Sequence, residues 1–277
     1  MSFRPINDDH AVQSVAFTLQ FEQPFGPETI NFVQSEHKRW SAELPAVNRP
    51  VGIGIEFGAE GGSPKQVPLH GITFSYLRPD GTPAWQLRFE PQSVVVECTR
   101  YTRWERIWSI ARRHLEAATA AVTEVGREQP RPIVSMSLQF VDMFETAEAS
   151  YDLRDLFTEN PYLSPMAFTS GELWHSHVGW FDRSDKLGLS LNNLNVDARQ
   201  TEARGQVMNA VTILHVQQLR FASPLQAPEN GSGFWNSLET SMQRLHILNK
   251  QVLAAMLNPE MTSKISLIQT QERIQNG

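Results

Sequence analysis

Residues 103 to 125 read RWERIWSIARRHLEAATAAVTEV. Trp104, Ile107, Trp108, Ala111, Leu115, Ala118 and Val122 recur three and four residues apart, which paints one side of a helix apolar, while Arg103, Arg106 and Arg113 fall roughly opposite. Such a stripe has to lie on an apolar surface, and the flanking sequence supplies one. Upstream, Val94, Val95 and Val96 make Ser93 to Thr99 apolar on both sides, as a covered strand requires. Before it, Ile72 to Leu77 and Ala84 to Glu90 flank Arg78-Pro79-Asp80-Gly81, a proline-then-glycine turn that predicts a hairpin. Downstream, Val134, Met136, Leu138 and Phe140 alternate with Ser135, Ser137 and Gln139, the period of a half-buried strand.

Working outward, Val15, Phe17, Leu19 and Phe21 predict a strand over Val12 to Gln23, and Val51 to Phe57 predicts another, weakened by its glycines. Glu28 to Leu44 has loose helical spacing closed by Pro45, Gly58 to Gly71 reads as a glycine- and proline-rich loop, and Tyr151 to Phe157 as a short helix. Three further strands are expected at Trp174 to Phe181, Leu187 to Val196 and Gln206 to Phe221. The second changes phase at Asn192-Asn193, which predicts a bulge. The last helix, Phe234 to Leu257, carries Trp235, Leu238, Met242, Leu245, Val252 and Met256 on one face, interrupted by Asn249.

The order strand, helix, strands, long helix therefore occurs twice. Trp104 stands ten residues before His114, and Trp235 eleven before His246. The expected fold is α+β: two similar halves of antiparallel sheet, each packed against a long amphipathic helix, at residues 1–130 and 131–261, with a polar tail at 262–277.

The chain has 277 residues, 24 Lys and Arg against 30 Asp and Glu, a formal charge of -6, and 40% hydrophobic residues. This is a globular composition. No apolar run approaches the roughly 20 residues of a membrane span, and Met1 to Val12 lacks a targeting pattern, so the expected location is cytoplasmic. Cys98 is the one cysteine, which excludes an internal disulfide and a cysteine zinc cage.

Three segments carry a resemblance. Leu87-Arg88-Phe89 through Tyr101-Thr102-Arg103-Trp104, then Leu138-Gln139-Phe140-Val141-Asp142, then Leu245-His246 resemble the signposts of a sporadically distributed prokaryotic family of similar size. Its members carry an aromatic-x-x-Trp lead-in to a long helix, a Leu-Arg-Tyr-Ile-Asn strand, and a Leu-His in a C-terminal helix. Here Gln139, Phe140 and Asp142 replace the arginine, tyrosine and asparagine of that strand. The resemblance implies a fold and a prokaryotic cytoplasmic setting, and no active site.

Candidate chemistry is sparse. Arg100 to Arg113 carries +4 and interleaves Arg103, Arg106, Arg112 and Arg113 with Tyr101, Trp104 and Trp108, a mixture that can grip phosphates and stack on bases. Helical spacing separates the rings from the charges, which favours a buried aromatic stripe with a solvated arginine face. His175 and His177 share one face of a predicted strand about 7 Å apart, and with His215 on a neighbouring strand they are weak zinc candidates. Ordinary sheet histidines are the favoured reading. Asp142 reads as a solvent-facing sheet-edge carboxylate, with pairing to an arginine of the other half or orienting a ligand as alternatives; His246 reads as a structural histidine beside the last helix's seam, with a binding or catalytic role as the alternative; Asn192, Asn193, Asn195 and Asp197 read as a turn-like polar cluster or a ligand contact. There is no Gly-x-x-x-x-Gly-Lys, no Gly-x-Gly-x-x-Gly and no Gly-x-Ser-x-Gly. Enzyme status has no support, and no cofactor is expected.

The expected function is a non-catalytic binding protein with a protein partner, of a kind that serves defence or toxin-antitoxin systems. His114 to Glu202 carries -8 and suits a basic partner. A sheet-and-helix cavity that binds or hydrolyses a small ligand, and nucleic-acid binding through Arg100 to Arg113, are the alternatives. A homo-oligomer is left open; a membrane is not expected.

Overall fold

The computed structural model describes residues 3–58, 61–68, 71–125, 131–183, 185–203, 205–226 and 232–267. In chain order they form β1 (Arg4–Pro5), β2 (Val12–Phe21), α1 (Pro27–Ser35), β3 (Ala46–Asn48), β4 (Val51–Gly58), β5 (Gly61–Pro68), β6 (Ile72–Leu77), β7 (Pro83–Phe89), β8 (Ser93–Cys98) and α2 (Trp104–Val125). These are followed by β9 (Ile133–Thr146), β10 (Trp174–Asp182), β11 (Gly188–Ala203), β12 (Gln206–Leu225), α3 (Ser232–Met256) and α4 (Pro259–Lys264). Ten strands form one antiparallel sheet in the hydrogen-bonded order β10-β11-β12-β9-β2-β8-β7-β6-β3, with β1 on β9, while β4 and β5 pair separately. The α+β class read from the sequence is the class the chain adopts. No described helix is long and apolar enough to cross a membrane.

The chain divides into two compact units, one of Ala16–Met136 and Phe221–Phe234, the other of Met1–Val15, Ser137–Arg220 and Trp235–Gly277. They are called the α2 unit and the α3 unit after their long helices, and each is described by itself.

In the α2 unit the registers Leu87↔Val96, Phe89↔Val94, Ile72↔Phe89 and Phe74↔Leu87 collect large side chains on one sheet face, all buried. Helix α2 lays its stripe on apolar ground of this kind. The rings of Trp104 and Trp108 lie 6.2 Å apart and nearly parallel, each within 6 Å of Phe17 at 5.8 and 5.4 Å. Ala111, Ala118 and Ala121, all buried, follow along the helix. Burying each large ring contributes on the order of 1.5–3 kcal/mol, against less than about 1 kcal/mol for a surface ion pair such as Arg113–Glu43 at 2.6 Å. The hairpin turn forms as expected: Gly81 has φ +81° and the Asp80 carboxylate accepts the Thr82 amide at 2.8 Å. Gly71 has φ +150°, and a Cβ there would stand 2.8 Å from the Phe89 carbonyl oxygen.

Two expectations fail in this unit. The helix predicted over Glu28 to Leu44 stops at Ser35 and gives way to a 3-10 turn at His37–Arg39. That turn brings Trp40 against Phe74 and Phe89, at 5.1 and 6.0 Å, and both Trp40 and Leu44 are buried. The loop predicted over Gly58 to Gly71 contains β5, which pairs with β4 from Val51↔Pro68 to Gly58↔Gly61. A two-stranded ribbon outside the main sheet is subject to no core-face alternation and tolerates proline at its free edge, so its sequence imitates a loop.

In the α3 unit, Phe144 of β9, Leu194 and Val196 of β11, Val211 and Ile213 of β12, and Val252, Leu253 and Met256 of α3 share one core. Strand β11 has no bulge where it pairs with β10. Nine pairs run unbroken from Trp174↔Ala198 to Asp182↔Ser190, and its buried positions alternate strictly as Ser190, Asn192, Leu194, Val196 and Ala198. What changes at Asn192-Asn193 is polarity, not phase. The short helix expected at Tyr151 to Phe157 is only a 3-10 turn, Leu153–Asp155, capped by the Asp152 side chain. The tail expected from residue 262 begins inside α4, where Met261 and Thr262 are buried; residues 268 onward lie outside the described residues.

Trp108→Ala removes the ring that stacks on Trp104 and packs, tilted, against Phe17. It is expected to destabilise the fold by about 3–5 kcal/mol in urea titrations followed by circular dichroism. A loss smaller than about 1 kcal/mol would contradict the packing described.

Candidate functional site

The covered face of the α3 unit's sheet is not uniformly apolar. His215 of β12, 3% exposed, places Nδ1 2.8 Å from Asn249 Oδ1 of α3 and Nε2 3.3 Å from Asn192 Oδ1 of β11. Trp180 of β10 stacks on the imidazole at 5.7 Å. Two residues along β12, Gln217 is buried, and neither its amide oxygen nor its nitrogen has a hydrogen-bond partner among the described residues. On β9, Phe140 stacks on His246 of α3 at 5.8 Å, and Asp142, the next residue on that face, is buried.

These groups are tuned by burial. It lowers the His215 pKa to about 4, against the opposing pull of its bond to Asn249. Burial, with the Lys250 charge, also holds His246 below its ordinary value. It raises the Asp142 carboxyl to about 7. At neutral pH His215 is therefore uncharged and owns one N–H. That single N–H can donate to only one of the two amide oxygens the ring faces, Asn249 Oδ1 at 2.8 Å or Asn192 Oδ1 at 3.3 Å. The arrangement positions α3 on the sheet; closed to solvent, it has no access for a reacting group.

The opposite face of the same sheet meets solvent. Since Phe140, Asn192, His215 and Trp180 face the α3 side, alternation turns Val141, Leu189, Leu191, Asn193, Asn195, Asp197, Leu214, Val216, His175, His177 and Phe181 the other way. All of these are partly or fully exposed. Here His175 Nδ1 lies 2.5 Å from Asp197 Oδ1, and His177 stands opposite Asn195. A Cβ on Gly179 would come within 3.2 Å of Asn193 Oδ1, so the Asn193 side chain lies over that glycine.

Some sequence candidates land away from their expected places. His175 and His177 share a face, but His215 is on the other, so the three cannot converge on zinc. Among the described residues no three His, Cys, Asp or Glu side chains form a metal-sized group. Asp142 is not a solvent-facing edge carboxylate: β9 runs on to Thr146, which keeps Asp142 in phase with buried Phe140 and Phe144. Arg103 and Arg106 are exposed and form no ion pair with a described residue, while Arg113 is held by Glu43. Trp104 and Trp108 are buried and unavailable for stacking on bases. His114, also buried, has Nε2 3.2 Å from Glu43 Oε2, and burial lowers its pKa despite that carboxylate. The Cys98 thiol is pushed up to about 11 by burial and is inert. Asn249 was visible only as a break in an apolar stripe, and Gln217 as a polar residue in an alternating strand.

One open groove, of about 450 Å³, is lined by Ser150, Tyr151, Asp152, Arg154, Phe168 and Thr169 among others. The Arg154 guanidinium lies over Phe168 at 5.5 Å and 3.4 Å from Asp152. Compared with known proteins, the sequence matches no family model and no curated protein.

Asp142 and His215 give opposing pH slopes. Between its ordinary 3.8 and about 7, the folded chain keeps the Asp142 proton that the unfolded chain releases, so stability from this group falls as pH rises. Between 6.5 and about 4 the unfolded chain protonates its histidine first, so acid weakens the fold through His215. Asp142→Asn isolates the first slope: it is expected to gain up to about 4 kcal/mol over the native chain at pH 8, the gap closing near pH 4 in urea titrations. A variant no more stable than the native chain at pH 8 would refute the burial of an ionised carboxylate.

Proposed function

We propose that this chain is a non-catalytic binding protein whose solvent-facing sheet surface in the α3 unit takes a protein partner. One observation carries the reading: Leu189, Leu191, Leu214 and Val216 occupy positions on the solvent side of an antiparallel sheet, where polar residues normally stand, and all four are partly exposed. Asn193, Asn195, Asp197 and the two histidines beside them supply hydrogen-bonding groups, giving the mixture of apolar anchors and polar surround that protein interfaces use. The -8 carried by His114 to Glu202 favours a basic partner. The family resemblance extends the proposal to a prokaryotic cytoplasm and to accessory systems such as defence or toxin-antitoxin sets.

The same proposal includes two similar halves. It is supported by strand order, since β2-β8-β7-β6 and β9-β12-β11-β10 each pair a first strand with the last of a three-strand run that leads into a long helix. A small-ligand site is the second reading, and the groove beside Arg154 and Phe168 favours it. Nucleic-acid binding through Arg100 to Arg113 has less behind it, because the rings that would stack on bases are packed inside.

Affinity purification from the native host, with the native chain and with Leu214→Lys, tests the leading reading. A stoichiometric protein retained by the native chain and lost from the folded variant is expected. Retention by both, or recovery of nucleic acid or a small molecule in place of a protein, would overturn it.

A further inference from the structure

β10 ends the hydrogen-bonded order of the sheet, and it is long. The strand spans nine residues, Trp174 to Asp182, without proline, lysine or a register slip against β11. The strand at the other end of the order, β3, has three residues. Among the described residues, no backbone group of Trp174 to Phe181 makes a hydrogen bond outside the β10–β11 ladder. Natural edges are normally shortened, kinked or charged because unpaired N–H and C=O groups template another strand. β10 is neither shortened nor kinked, and its one acidic residue, Asp182, stands at its end; an edge of this kind can pair with another strand.

We propose that β10 is a dimerisation edge, where two copies of this chain pair their β10 strands antiparallel about a two-fold axis at Gly179. The composition of the strand fits its own reverse. About that axis Val178 stands opposite Trp180, Phe181 opposite His177, and Asp182 opposite Ser176, so each aromatic ring meets a side chain it packs against and the acid meets a hydroxyl. Gly179 meets its own copy with no side chain at the axis. Phe181, 59% exposed in the single chain, is covered. Charge complementarity supports a second copy as the occupant. Arg183, exposed just beyond the strand, falls opposite His175, whose ring is held against the half-exposed Asp197 carboxylate. Each copy thus offers an arginine to the other's aspartate, twice over. Pairing of this isologous kind closes on itself and leaves no further long edge from β10 to propagate. The inference rests on the strand's edge: it engages His175, His177 and Asp197 at the margin of the proposed partner-binding face and leaves Leu189, Leu191, Leu214 and Val216 open in the dimer.

Sedimentation velocity and light scattering of the full chain, from nanomolar to the highest soluble concentration, read the association state. A dimer is expected, with backbone amides of Trp174 to Asp182 gaining protection from hydrogen exchange as concentration rises. Phe181→Lys and Arg183→Glu alter side chains exposed in the single chain, so both should fold with unchanged circular dichroism, and each should raise the dimer Kd by roughly tenfold or more. Combining Arg183→Glu with Asp197→Arg should restore part of that loss. A chain monomeric at every concentration would overturn the proposal, as would a dimer indifferent to both substitutions. Capture of another protein's extended segment by β10 in a chain that never self-associates would overturn it too.

Discussion

The polar contacts that run from Asn249 of α3 through the His215 ring to Asn192 of β11 constrain the α3 unit more tightly than any apolar contact in it. Hydrophobic burial is non-directional: a helix lying on leucines and valines can roll or slide and lose little. A dry imidazole with an amide on each side allows no such freedom. Moving α3 by a fraction of a turn breaks the 2.8 Å contact and leaves buried groups unpaired, at about 1–3 kcal/mol each. Neutrality of the ring is part of the constraint, because its single N–H can donate to only one of the two amide oxygens.

Helix α2 solves the same problem by other means. Trp104, Trp108 and Phe17 fill its contact with rigid rings, and the alanines that follow are buried without a polar atom to satisfy. Its one buried ionisable group, His114, has Glu43 in reach, and the buried Trp108 Nε1 and Thr119 Oγ1 make no hydrogen bond to a described residue, so none of the three ties this helix to its sheet as His215 ties α3. The two long helices thus differ in kind. One is held by area and shape, the other by area and direction.

What could be read from the sequence follows this division. The α2 stripe, the Arg78 to Gly81 hairpin and the alternating strands were legible because periodicity records which side faces the core, and tryptophans and valines leave little ambiguity. The β11 bulge was misread for the same reason. Leu189 and Leu191 alternate in one phase and Leu194 and Val196 in the other, and a rule that sends apolar residues inward must place a discontinuity between them. The structure keeps one phase and buries Ser190 and Asn192. Asp142 was misplaced by the same rule, which assigns a carboxylate after an alternating run to water. Nothing local distinguishes a polar residue that will find a partner across the core from one that will not. The partner of His215 is 34 residues away on α3.

That misreading also identifies where the α3 unit is under tension. Slipping β11 by one position would bury Leu189 and Leu191 and release Ser190 and Asn192 to water, a gain at one end of the strand, while turning Leu194, Val196 and Ala198 outward at the other. The observed phase is fixed by the latter end, where all three side chains join the core with Val211 and Ile213, and by the Asn192 contact with His215. The former end therefore holds apolar side chains on the solvent side and polar ones on the dry side, the reverse of what stability alone would select. Local patterning that conflicts with the global fold raises the energy of the folded chain. Relief without unfolding has to come from something that covers Leu189 and Leu191 from outside, and this is the physical reason that surface, rather than the buried histidine behind it, is the place to look for a partner.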